Sequence, residues 1–109
     1  MGKPNKQFNL DIMPYDNLLK RHIRQAKVSG KPSEFIELLN TLRDVAKRAK
    51  EDAKDKHPSG KFVYSENISP ALAAHLPDKV KREFTKKGIT FTQLNSNETQ
   101  VTMTFKVQF

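Results

Sequence analysis

The sequence predicts an α+β fold: two N-terminal helices packed on a small three-stranded antiparallel sheet, with one or two short helices before a C-terminal β-hairpin. Three observations carry this. Apolar residues recur at three- and four-residue steps through 16–28 and 34–56, the signature of helices with one buried face. From Gln100 onward apolar and polar residues alternate strictly, as in a half-buried strand. Between these regions Pro70, Pro77 and Gly88 punctuate a Leu72, Leu76, Val80, Phe84 stripe, and an internal Pro costs a helix about 3 kcal/mol. At 109 residues, the chain is the size of one ordinary domain.

Residues 1–13 read as a polar arm, or as a short strand through 7–13 where Phe8, Leu10 and Ile12 alternate; residues 14–109 read as a single domain. Asp16 is placed to cap a first helix, with Leu18, Leu19, Ile23 and Ala26 inward and Lys20, Arg21, Arg24 and Lys27 outward. Gly30 and Pro32 end it. Ser33 is a good cap for a second helix, whose apolar stripe runs from Phe35, Leu38, Leu39 and Leu42 through Val45 to Ala46, Ala49 and Ala53. Asp44 with Arg48, and Asp52 with Lys56, have the spacing of helical ion pairs. The sequence from His57 to Gly60 stops the helix, and residues 61–64 form a short strand. Ser69 caps a helix that has Pro70 at its first position, and Pro77 divides the next stretch into helices over 70–76 and 78–87. Residues 89–94 and 100–109 form the hairpin around an Asn/Ser turn, with Val101, Met103, Phe105, Val107 and Phe109 facing inward.

Charge narrows the function. The formal net charge is +8, and it is unevenly spread. Residues 1–31 hold seven basic and two acidic residues, 32–60 hold six of each, and 61–109 hold seven and four. Such patches favour an anionic partner. The absence of Cys excludes disulfides and thiolate metal sites. No run approaches the roughly 20 apolar residues of a membrane span, the N-terminus lacks the apolar core of a signal peptide, and Lys6 stands where myristoylation prefers Ser or Thr. Cytoplasmic residence is therefore expected.

Catalytic signatures are missing. His22, His57 and His75 fall in different elements with no carboxylate at a motif spacing, and no phosphate-cradling glycine loop or nucleophile motif occurs. The expectation is a protein that is not an enzyme and uses no cofactor, metal or small-molecule substrate. The candidate binding residues are two cationic sets: Lys20, Arg21, Arg24 and Lys27 on the first helix, and Lys79, Lys81, Arg82, Lys86 and Lys87 on the short helix before the hairpin. Lys79, Arg82 and Lys86 share one helical face. A solvated surface is the plain alternative, since Lys near a helix C-terminus is favoured by the dipole anyway. The acidic residues Asp11 and Asp16 are read as preceding the first helix, unable to neutralise it.

From residue 34 onward the element order resembles a winged helix: helix, strand, two helices, strand, wing, strand. The resemblance implies that 78–87 is a recognition helix and 95–99 the wing. The chain departs from that pattern at Pro77 and Asp78, which leave almost no turn between the paired helices. A Cys-free, Lys-rich chain of this kind is also similar in type to small accessory proteins of phages and mobile elements.

Two functions are expected in order. The first is binding of nucleic acid, duplex DNA or structured RNA, by phosphate contacts from both sets. The second is docking on an acidic protein surface, with Phe8 and Tyr15 as apolar anchors. Edge pairing of the hairpin would be an assembly role. The polar strand face of Gln100, Thr102, Thr104 and Lys106 carries no aromatic residue, which argues against an RNA-stacking sheet.

Overall fold

The computed structural model describes residues 10–107, which form the expected α+β architecture. The order is α1 (Met13–Val28), α2 (Ser33–Lys56), β1 (Gly60–Ile68), α3 (Pro70–Ala73), α4 (Asp78–Lys86), β2 (Ile89–Asn95) and β3 (Glu98–Val107). The three strands form one antiparallel sheet in the order β1-β3-β2. Val101, Met103 and Phe105 of β3, Phe62 of β1 and Ile89 of β2 are buried with the apolar faces of the helices in one continuous core. The opposite sheet face is mostly polar, with Val63 exposed on it, and Ser65 and Thr102 hydroxyls meet across it at 2.9 Å.

The helix ends differ from expectation. Pro14, which needs no N–H partner in a first turn, lets α1 start at Met13, so Asp16 lies inside the helix and does not cap it. Asp11 takes the Met13 N–H at 3.0 Å instead. In α2 the flanking residue is Pro32, and Ser33 makes no capping hydrogen bond. Ser69 does cap α3, accepting from the Ala71 and Leu72 N–H groups. His57 closes α2 in the left-handed conformation, and β1 then runs on to Ile68, four residues beyond the expected strand. Residues 10–12 form no strand, yet Leu10 is buried, and Met13 belongs to α1; residues 1–9, Phe8 among them, lie outside the described residues, as does Phe109.

Two ion pairs tie the layers together. Arg48 leaves Asp44 and grips Glu66 of β1 with two hydrogen bonds, Nε to Oε2 at 2.6 Å and Nη2 to Oε1 at 2.8 Å. The Tyr64 hydroxyl donates to the same carboxylate at 2.7 Å. The guanidinium holds the Glu66 carboxyl below its ordinary range, while burial and the neighbouring carboxylate push Tyr64 up to about 12. The Asp52–Lys56 pair forms as expected, at 2.9 Å.

The second pair joins α1 to α2. Asp16 accepts from Arg43 Nε at 2.8 Å and from Lys20 Nζ at 3.1 Å. Burial alone would raise the Asp16 carboxyl, but the hydrogen bonds from Arg43 and Lys20 outweigh it and lower it. A depressed carboxyl contributes stability above the unfolded-chain value near 3.9 and loses it as pH falls through the folded value. Asp16→Asn is therefore expected to cost about 2 kcal/mol near neutral pH. The difference from the parent chain should close in acid, where both carry an uncharged side chain. Urea unfolding at a series of pH values from neutral down to about pH 2 checks this, and a pH-independent difference would contradict it.

Candidate nucleic-acid interface

The structure answers a question of placement that periodicity leaves open: where the two cationic helices stand relative to each other. They touch. Glu83 of α4 receives Arg21 Nη2 at 3.1 Å on one oxygen, and His22 Nε2 lies 3.2 Å from the other without hydrogen-bonding geometry. Beneath this contact the His22 ring stands edge-on to Phe84, with centroids 5.2 Å apart at 89°. The buried ring of Phe84 thus sets the approach of α4 to α1.

Tyr15 fixes the other side. Its ring is only 8% exposed and packs edge-on against Phe105, centroids 4.8 Å apart. Its hydroxyl donates to the Thr104 carbonyl, and burial raises its pKa. Tyr15 is accordingly a core residue and not the exposed anchor expected from sequence. The reason is the extra helical turn at Met13–Asp16, which swings Tyr15 onto the inward face with Leu18 and Leu19.

Between α1, the end of α4 and the end of β3 lies a groove of about 890 Å³. Arg21 and Arg24 line it from α1, Lys87 from the end of α4 and Lys106 from β3, against the single carboxylate of Asp11. Pro14 and Val107 supply its accessible apolar surface, over the buried Leu10, Leu18, Tyr15 and Phe105. All four cations are solvent-exposed.

The remaining expected residues divide. Lys79, Arg82 and Lys86 are exposed on the side of α4 turned away from Phe84, as the helical spacing implied. Lys81 sits apart, beside Asp78 in a smaller recess of about 440 Å³ between α3, α4 and the hairpin. Lys20 pairs with Asp16 one turn back on its own helix, which partly neutralises it; the expectation that no acid reaches this helix is corrected by that pair and by Glu83 on Arg21. Lys27 is exposed on α1. Thr99, read as the end of the wing, is buried in β3.

Sequence reasoning missed Lys106 as a member of the α1 set. Its position on the polar side of β3 was legible, but the groove joins it to Arg21 and Arg24 only through the fold. Among the described residues no helix is long and apolar enough to cross a membrane, and no three His, Asp or Glu side chains gather as a metal site.

No family model, curated protein or solved structure matches this chain. The winged-helix order persists from α2 onward, but α3 is a single turn, so a helix-turn-helix pair of ordinary size is not built.

Proposed function

We propose that this protein binds nucleic acid through the phosphate backbone, without catalysis, along a cationic band formed where α1, α4 and β3 meet. What supports the reading is the convergence on one groove of Arg21, Arg24, Lys87 and Lys106 from three separate elements. Convergent exposed cations, opposed by Asp11 in the groove and by Glu83 on Arg21, leave an excess of positive charge, which attracts a polyanion and loses strength with salt. Lys79, Arg82 and Lys86 extend the field over the outer side of α4.

An acidic protein surface would answer the same field. That alternative has less support, because Tyr15 is buried and leaves the described residues without the expected aromatic anchor. Capture of partners with and without nuclease treatment separates the two. Capture that survives nuclease favours the protein partner.

Salt dependence gives a quantitative test. Four phosphate contacts imply a log–log slope of about −3 for a single strand, or about −3.6 for a duplex. Affinity should therefore fall roughly fifty-fold or more between 50 and 200 mM salt. Fluorescence anisotropy with labelled oligonucleotides measures this directly. Binding that stays undetectable at low salt, or that ignores salt, counts against the proposal.

A further inference from the structure

We infer that the groove holds a single nucleic-acid strand rather than a duplex, with its phosphates on Arg21, Arg24, Lys87 and Lys106. This rests on the nucleic-acid reading above and narrows its ligand.

Shape is the first reason. A duplex carries its phosphates on the outside of a stiff rod, and proteins reach it with projecting elements such as a helix laid in its major groove. Here the cations stand on the walls of a recess of about 890 Å³. That volume lies in the range of small-molecule sites, about 300–1,000 Å³, so it suits a short stretch of one strand. The second reason is the lining. The exposed Pro14 and the half-buried Val107 share the groove with the cations. A duplex hides its base faces in the stack and would bring only sugar and phosphate to such a wall. A single strand presents base faces as well as phosphates, which is the combination that single-strand channels accommodate.

Phe105 is almost fully buried, so it offers no broad stacking platform. Sequence preference should accordingly be weak, and the phosphates should dominate affinity.

The convex side of α4, with Lys79 and Lys86, supplies the internal comparison. If a duplex were the ligand, that ridge would be the surface to meet it. The test uses the full chain in low salt, with a labelled octathymidylate or octauridylate against a hairpin duplex of equal phosphate number. The strand is expected to bind at least about tenfold more tightly. Lys87→Glu and Lys106→Glu should each weaken the strand about tenfold, and Lys79→Glu less than about threefold. All three positions are exposed, so circular dichroism should show the parent fold, and the strand–duplex comparison on the parent chain needs no variant.

Equal or tighter duplex binding overturns the inference while leaving the nucleic-acid reading standing. So does strand binding that ignores the groove substitutions or responds equally to Lys79→Glu. Failure of both ligands to bind overturns the underlying reading as well.

Discussion

Phe84→Ala is expected to destabilise the protein by about 3–5 kcal/mol. Phe84 has no exposed surface and is the largest side chain on the inner face of α4. Its removal deletes the transfer free energy of a full aromatic ring and leaves a cavity, because the surrounding core relaxes only in part. The loss is a large fraction of the roughly 5–15 kcal/mol that holds a typical domain together. His22 also loses the ring it packs against edge-on, so the contact between the two cationic helices should loosen with the core. Phe84→Leu keeps most of the volume and should cost well under half as much. Equilibrium unfolding in urea gives both values. A loss below about 1 kcal/mol for Phe84→Ala would show that α4 is not anchored as described.

Gly88→Ala is expected to cost about 2–4 kcal/mol, from two additive causes. Gly88 has φ +97, a region that L residues reach only with strain. A Cβ there would also run into the buried Tyr15 hydroxyl and come within 3.1 Å of the Thr104 carbonyl oxygen. These two atoms are already hydrogen-bonded to each other, and the Gly88 carbonyl accepts from the Thr104 N–H at 2.9 Å. The new methyl must therefore break the Tyr15–Thr104 bond or push α1 away from β3. Either outcome alters the groove beside Lys87 and Lys106, so the nucleic-acid affinity proposed for it should fall together with stability. Gly30→Ala provides the comparison. Gly30 has φ +67, but nothing stands within 4 Å of its added Cβ, so only the backbone cost applies. Thermal unfolding of the two variants measures the difference. Equal losses would mean that the Tyr15 contact contributes nothing.

Much of this architecture is legible along the chain because its causes are local. The stripe from Phe35 to Ala53, the alternation of Val101, Met103 and Phe105, the Ser69 cap and the break at Pro77 all depend on residues within a few positions of one another. The split of charge between the two ends of the chain is equally local, since it is a property of the residues themselves.

Tertiary structure decided how these pieces meet. Arg48 could have paired with Asp44 one turn away, yet a better-placed carboxylate on β1 took it. Tyr15 looked free because its acceptor, the Thr104 carbonyl, lies 89 residues further along the chain. The groove exists for the same reason: Glu83 brings α4 against α1, and Tyr15 brings β3 against α1. Local spacing specified the order and kind of the elements, though not all their ends, and the number and sign of the charges on them. Only packing between distant segments could determine that Arg21, Arg24, Lys87 and Lys106 surround one space, because side-chain periodicity sets which face of an element is buried and not which partner buries it.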